Sequence, residues 1–269
     1  MKKIFLSLAL VVLSVSAFAQ LSATAVSGSD GYFVGKGSYD LSFIPGLTIA
    51  PNAAIVKHDG MDDMYQVGLN VEAKVPLWDA VRVGAKGGYT PKRNNYSNYF
   101  YEGYAKVNLE SLLFHVVELD NLTLGAGARQ TEHKFYSPDY KVGETDGYVS
   151  LGGTKGGFDG SVTYTKALRF SDTRAGNPLW LDIPGFTAVV NGYLKYAWSA
   201  NLGYTYKVVR PYANYTYLKT YGSSPIDNLA LGVTAKVGVI VVNAAVEWLD
   251  VSNKQDRQTF YSVNGGISF

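Results

Sequence analysis

From Tyr65 to Val75 the side chains alternate without a break. Tyr65, Val67, Leu69, Val71, Ala73 and Val75 are apolar, and Gln66, Gly68, Asn70, Glu72 and Lys74 lie between them. Successive strand side chains point to opposite faces, so this segment is a ribbon with one oily and one polar side. Residues 81–89 repeat the pattern, with Val81, Val83, Ala85 and Tyr89 against Arg82, Gly84, Lys86 and Gly88. Leu229, Leu231, Val233, Ala235 and Val237 do so again beside Thr234 and Lys236. Composition removes the competing classes. Cysteine is absent and charged residues are 17%, against roughly 25% in an ordinary soluble chain. Mean hydropathy is −0.01, and no long apolar run follows the first twenty residues. A helical membrane bundle, a disulfide framework, a thiol enzyme and a disordered chain are all excluded. The fold class is all-β.

Two all-β architectures produce this alternation: a soluble sandwich with its apolar faces turned inward, and a barrel with them turned outward to lipid. Three features favour the barrel. The segments run about ten residues or more, the length of a tilted membrane strand, where soluble strands average five or six. Aromatic residues crowd segment ends, as at Tyr96, Tyr99, Phe100 and Tyr101 and again at Tyr212, Tyr215, Tyr217 and Tyr221, where interfacial belts lie. The polar faces mix small and charged residues, as a wet interior tolerates. Lipid offers no partner to free backbone groups, so such strands must close on themselves. The expectation is a transmembrane, antiparallel, up-and-down β-barrel.

Residues 1–19 read as a cleaved export signal. Lys2 and Lys3 precede an apolar stretch from Ile4 to Val15, and Ala17-Phe18-Ala19 supplies the small-x-small cleavage pattern before Gln20. The apolar stretch is shorter than a spanning helix requires. Removing it takes two of the 24 basic residues and leaves 22 against 22 acids, so the mature chain is formally neutral and has no basic run to track a nucleic acid. At the other end Tyr261, Val263, Gly265, Ile267 and Phe269 alternate with Ser262, Asn264, Gly266 and Ser268. This resembles the terminal strand of bacterial outer-membrane proteins, and the resemblance implies that Tyr261, Ile267 and the final aromatic Phe269 form the signal read by the barrel-assembly machinery. The stretch Gly185–Phe269 further resembles the closing strands of small porins. The resemblance implies a Gram-negative outer membrane, with its lipid and small hydrophilic solutes as partners.

Candidate strands lie at 46–57, 64–75, 80–90, 99–110, 121–134, 145–155, 158–168, 186–196, 226–237, 239–249 and 258–269. Residues 199–219 hold one strand or a hairpin, because the apolar phase moves from Leu202, Tyr204 and Tyr206 to Ala213, Tyr215 and Tyr217 across Val209-Arg210-Pro211. One residue of slip is what a β-bulge produces. Short links at Pro76 to Asp79, Gly156-Gly157, Ala197 to Ala200 and Gly238 then alternate with outer loops at 91–98, 135–144, 169–185, 220–225 and 250–257, which requires a single bulged strand. The count is about twelve. Residues 20–43, with Phe33, Tyr39, Leu41 and Phe43, form either a lead-in, part of a plug or two further strands, and the last gives fourteen. Apolar residues at helical spacing over 111–119 suggest a short helix on the periplasmic rim.

No catalytic constellation emerges, and the expectation is a non-enzyme without metal or cofactor. His58 lies in His58-Asp59-Gly60-Met61-Asp62-Asp63. Barrel proteases of the omptin type use acidic pairs and an Asp–His pair, but these groups come from one turn rather than converging across a barrel, and a solvated turn with a weak Ca²⁺ contact fits better. His133, in Thr131-Glu132-His133-Lys134, lacks an assignable Ser partner of the kind outer-membrane lipases use, and His115 reads as packing. Gly125-Ala126-Gly127 and Leu151-Gly152-Gly153 lack the following helix and Lys-Ser/Thr of a phosphate loop; strand glycines instead make room for neighbours. A sugar-stacking track of Tyr and Trp is weighed against an interfacial belt, and the belt fits more positions. The polar phase assigns Lys36, Lys74, Arg82, Lys86, Lys106, Arg129, Lys195, Lys207 and Lys236 to the lumen, with Asp40, Glu72, Glu102, Glu110, Asp159 and Glu247 opposing them. Opposite signs could pair and shut a narrow barrel; at twelve strands a gap remains. The function expected is passive diffusion of small hydrophilic solutes with a slight anion lean, constricted by the loop around Ser171–Trp180. A closed structural or adhesive barrel and a rim hydrolase are the alternatives.

Overall fold

The computed structural model describes residues 19–28, 32–57, 62–76, 78–109, 119–137, 139–170, 192–221, 224–250 and 258–268. These residues form fourteen strands: β1 (Ala19–Gly28), β2 (Phe33–Ile44), β3 (Leu47–Lys57), β4 (Met64–Lys74), β5 (Val81–Arg93), β6 (Tyr96–Asn108), β7 (Asn121–Tyr136), β8 (Asp139–Lys155), β9 (Phe158–Phe170), β10 (Leu194–Tyr204), β11 (Val209–Thr220), β12 (Ile226–Val237), β13 (Ile240–Leu249) and β14 (Gln258–Ser268). Each pairs antiparallel with its neighbours in sequence, and β1 pairs with β14 to close the barrel. Closure leaves no strand edge to satisfy, the condition that hydrocarbon imposes.

Apolar side chains cover the outside. Val67 and Leu69 on β4, Val149 and Leu151 on β8, Leu202 on β10, Leu231 and Val233 on β12 and Val263 on β14 are all exposed, and each lies in the outward phase of its strand. Pairs such as Leu69 opposite Gly87 and Leu231 opposite Val246 hold this phase in register around the wall. There is no oily centre between two stacked sheets; the greasy surface is the exterior.

At the lower end, where β1 begins and β14 stops, the connections at 45–46, 156–157, 205–208 and 238–239 are tight. Gly46, Gly156, Gly157 and Gly238 adopt positive φ there, between 57° and 88°, which costs glycine nothing. At the upper end, β5 and β6 meet through Asn94 and Asn95, with φ of 48° and 58°. Two successive residues in the left-handed region make the primed two-residue turn that matches strand twist.

The count is fourteen, the alternative to twelve, because residues 20–43 supply β1 and β2. Other expectations about the strands are corrected. The stretch 199–219 is not one bulged strand: the chain reverses at Thr205–Val208, with Lys207 at φ 54°, and Ala197 to Ala200 is strand interior, not a link. The apparent phase slip is the reversal itself. β10 pairs with β11 as Leu202 with Ala213 and Ala200 with Tyr215, so outward positions are even-numbered before the turn and odd-numbered after it. The strand expected at 186–196 begins only at Leu194; residues 186–191 lie outside the described ones. The stretches 91–98 and 135–144 are not loops either. Tyr96 pairs with Arg93, and Tyr136 with Asp139, so these hairpins continue as ladder to their tips. The helix suggested over 111–119 falls almost wholly outside the described residues, and residues 1–18 and 171–191 lie outside them entirely.

Candidate functional site: the barrel interior

The inner face has two unlike halves. In the lower half, cross-strand pairing sets charged side chains side by side: Lys74 opposite Arg82, Arg82 opposite Lys106, and Lys86 opposite Glu102. Glu72 gathers Arg82 at 3.2 Å, Lys106 at 2.7 Å and the Tyr104 hydroxyl, which donates to it at 3.0 Å. Glu102 accepts from Lys86 at 2.9 Å and from the Tyr148 hydroxyl at 3.0 Å, with Arg129 Nε at 4.0 Å. Along the wall Arg210 on β11 reaches over β10 to clamp Asp159 on β9 with Nε and Nη2, and it also donates to Asn201 at 2.9 Å. Lys74 meets Asp79 at 3.0 Å beside the lower rim. Around Glu72 and Glu102 the cations are the more exposed partners: the side chains of Arg82 and Lys106 are 60% and 48% exposed, against 14% for Glu72. These two acids are tucked beneath the cations they hold, so water meets positive charge first there, whereas Arg210 and Asp159 are equally exposed.

A second regularity thins the wall. Inward-facing aromatic rings lie directly across from glycine: Tyr104 opposite Gly84, Phe100 opposite Gly88, Tyr148 opposite Gly127 and Tyr212 opposite Gly232. A Cβ at Gly84 would lie 2.2 Å from the Tyr104 ring, and one at Gly232 would lie 2.5 Å from Tyr212. Each ring therefore lies against bare backbone instead of standing into the interior. Cations sit over the same rings: Lys86 and Lys106 at 5.0 and 5.1 Å from the Tyr104 centroid, Arg129 at 3.7 Å from Phe100, and Arg210 at 5.3 Å from Tyr212. With those faces occupied, Tyr104, Phe100 and Tyr212 offer no stacking track to a sugar.

In the upper half the inward side chains are buried. His133, Glu144, Asn228, Glu247, Thr90, Thr216, Leu218, Val26 and Val34 each have at most 1% exposure. Three apolar clusters form there, around Leu194, Ala197 and Leu218, around Val26, Val34 and Phe260, and around Met64 and Tyr96. Tyr96 hydroxyl and His133 Nδ1 are 2.7 Å apart, and His133 Nε2 lies 3.4 Å from Glu144. The Tyr193 ring reaches His133 edge-on at 5.4 Å. Tyr193 immediately precedes β10, whereas His133 is on β7, three positions away around the wall, so the Tyr193 side chain reaches into the interior.

Lys36, Asp40, Glu72, Lys74, Arg82, Lys86, Glu102, Lys106, Arg129, Asp159, Lys236 and Glu247 all occupy inward positions in the register. Lys195 and Lys207 do not. Lys195 falls in a pairing irregularity between Leu194 and Tyr196, and Lys207 is in the lower turn with its ammonium 5.4 Å from the Tyr206 ring. Both were assigned by extending alternation through a position where the ladder breaks. Tyr261 and Ile267 face outward on β14, paired with Ser27 and Leu21. Phe269, Glu110, His58, His115 and Ser171–Trp180 lie outside the described residues. Sequence reasoning missed Arg210, Glu144 and Asp146. Arg210, Tyr212, Asn214 and Thr216 do alternate with Pro211, Ala213 and Tyr215, a signal hidden by reading the turn as a bulge. Among the described residues no group of three His, Asp or Glu is arranged to hold a metal ion.

No protein-family model matches this chain, and no curated protein sequence does. Solved structures do. The Acinetobacter baumannii outer membrane protein Omp33 superposes at a TM-score of 0.52 and 10% identity, over 94% of this chain and 98% of that one. CdiB from Acinetobacter baumannii gives 0.51 at 10% identity, over 92% of this chain and 59% of CdiB. A KdgM porin gives 0.44 at 10% identity, over 93% and 99%. The chain shares the closed antiparallel barrel fold of Omp33 and CdiB. At such identities the likeness is one of fold. The charged half of the interior lies at the end with the turns at 45–46, 156–157 and 238–239, and the buried half at the opposite end.

Proposed function

We propose that this barrel is a passive channel for small hydrophilic solutes, with a weak lean towards anions, and that it is not an enzyme. The carrying observation is the lower interior: Arg82, Lys86 and Lys106 present exposed cationic groups from a wall whose rings lie flat. The net field is small, since the inward cations Lys36, Lys74, Arg82, Lys86, Lys106, Arg129, Arg210 and Lys236 are nearly matched over the whole interior by Asp40, Glu72, Glu102, Glu144, Asp146, Asp159 and Glu247. Selectivity in such a pore follows the charge that the permeant ion meets. Against a hydrolytic role stands His133, which is buried inside the wall with Tyr96 and Glu144 and does not face lipid.

Residues 1–19 fit this reading as a cleaved export signal. The seam between β1 and β14 starts with Gln20 opposite Ser268, so a chain beginning at Gln20 keeps every seam pair. Tyr261, Ile267 and Phe269 fit the assembly signal of the C-terminal strand. One observation favours a second reading, a closed structural barrel: the inward side chains of the upper half are buried. Single-channel recording in planar bilayers separates the two. The channel reading expects discrete conductance steps in KCl and a small reversal potential of anion-selective sign in a salt gradient, shifting towards cations in the double variant Arg82→Gln/Lys106→Gln. Folded protein that inserts without conductance would establish the closed barrel instead.

A further inference from the structure

The outer wall changes its chemistry with height across β9, β10 and β11, where the register sets outward side chains in rows. Gly160, Leu202 and Ala213 form a low row, and Val162, Ala200 and Tyr215 the next. Tyr164, Trp198 and Tyr217 lie above them, and Lys166, Tyr196 and Lys219 follow towards the upper rim. The rings make a continuous patch: between centroids Trp198 lies 5.2 Å from Tyr215 and 6.3 Å from Tyr217, and Tyr196 lies 6.2 Å from Tyr217. Aliphatic, aromatic and cationic residues in that order match acyl chains, interface and headgroups. Alternation alone would put Lys166 and Arg169 on opposite faces of β9. A register shift opposite Thr145 and Asp146 brings them to one face: Ala167 pairs with Asp146 on the inner side, and Arg169 with Thr145 on the outer. Both side chains are exposed. Their ladder partners Gly147, Tyr196 and Thr145 are not acidic, and neither cation has an acidic partner among the described residues. Outward cations elsewhere near the upper rim do: Lys57 meets Asp63 at 2.8 Å, and Lys141 meets Glu132 at 2.7 Å. The outward acid on this side, Asp227 on β12, is three strands from Lys166 and accepts from the Tyr215 hydroxyl at 3.1 Å.

We propose that Lys166 and Arg169 form a site for a lipid with a phosphomonoester headgroup, seated on the outer wall above the patch of Tyr164 and Trp198. The site needs the outer wall to meet lipid, as the channel reading holds, but it does not need an open lumen. Two neighbouring cations with no acidic partner suit the second negative charge that a phosphomonoester carries and a phosphodiester lacks. The Arg169 guanidinium offers paired N–H donors that fit phosphate oxygens, and Lys166 adds a point charge on the same face. The rings below have apolar faces and polar tips, which suit the glycerol backbone and the first acyl carbons. A soluble phosphate gains the cations alone, whereas a lipid gains cations and rings together, so the occupant is a lipid.

The test uses the refolded barrel carrying Trp78→Phe, Trp180→Phe and Trp248→Phe, which leaves Trp198 as its sole tryptophan. It is placed in phosphatidylcholine vesicles with rising fractions of one brominated lipid, and bromine quenching of Trp198 reports which lipid lies beside it. Folding of each variant is checked by heat-modifiable gel mobility. Brominated phosphatidic acid should be preferred over brominated phosphatidylcholine by roughly 20-fold, with phosphatidylglycerol between them. Lys166→Gln and Arg169→Gln should each cut that preference about fivefold; Lys166→Arg should keep it, and Lys57→Gln, on β3, should leave it unchanged. Equal quenching by the brominated lipids, a preference that survives Lys166→Gln/Arg169→Gln, or the same loss in Lys57→Gln overturns the proposal. So does inorganic phosphate that abolishes the preference, since the site then belongs to the free anion. Absence of quenching by any brominated lipid overturns the lipid-facing wall together with the site. Planar-bilayer recording separates the site from the channel reading. A Lys166-dependent preference without KCl conductance keeps the lipid site and removes the channel; conductance without such a preference does the reverse.

Discussion

Leu231 is the sharpest place to test which side of the wall faces lipid. It is the sixth of twelve residues in β12 and is 46% exposed on the outward face. A strand rising about 3.4 Å per residue and tilted by about 40° climbs roughly 2.6 Å per residue along the barrel axis, so an apolar band of about 25 Å takes about ten residues. Leu231 then lies within a residue or two of the bilayer midplane. An arginine placed there must hold its charge in hydrocarbon, at a cost of about 2–4 kcal/mol that falls to about 0–1 kcal/mol near the interfaces. The unfolding equilibrium of Leu231→Arg should therefore shift by roughly 30-fold to several-hundred-fold. Ser161→Arg, at an exposed inward position on β9, should cost well under 1 kcal/mol because its head group enters water. Urea titration of the barrel refolded in lipid vesicles, followed by tryptophan fluorescence, measures both. Equal costs for the two substitutions, or a larger cost for Ser161→Arg, would refute the outward-apolar reading and every functional inference built on it.

The glycine–ring pairs predict that Gly84→Val pushes the Tyr104 ring off the wall. Single-channel conductance should fall, and stability should drop by about 1–3 kcal/mol as the crowded position relaxes; unchanged conductance would show that these rings do not bound the path. At the upper β5–β6 turn, Asn95→Val places a β-branched residue at φ 58° and should cost about 1–2 kcal/mol, whereas Asn95→Gly should be neutral or better by the same urea titration.

Alternation made most of this barrel legible because one face of each strand meets hydrocarbon and the other meets water. The signal fails where that contrast fades. On β1 and β2 the outward positions include Ala23, Ala25, Gly35 and Gly37, too small to mark a lipid face by themselves, so two strands read as an ambiguous lead-in. At the tops of β7 and β8 the outward positions are Glu132 and Lys141, 2.7 Å apart. There both faces are polar, and a strand reads as a loop.

The interior was legible by face but not by neighbour. A strand's own period assigns Glu72 and Arg82 to the inside, yet only the register between strands brings Glu72 to both Arg82 and Lys106 and leaves the cations outermost. That distinction decides function more than the charge count does. Removing Lys195 and Lys207 from the inner face and adding Arg210, Glu144 and Asp146 nearly erases the excess of cations that composition along the polar phase suggested. What remains is an asymmetry of depth. Glu72 and Glu102 lie low against the wall and their cations lie above them, so a solute in that part of the lower interior meets positive groups even where the summed charge is close to zero. Any anion preference of this pore therefore comes from how far each charge reaches into water, and substitutions that shorten the cations without removing their charge should weaken it.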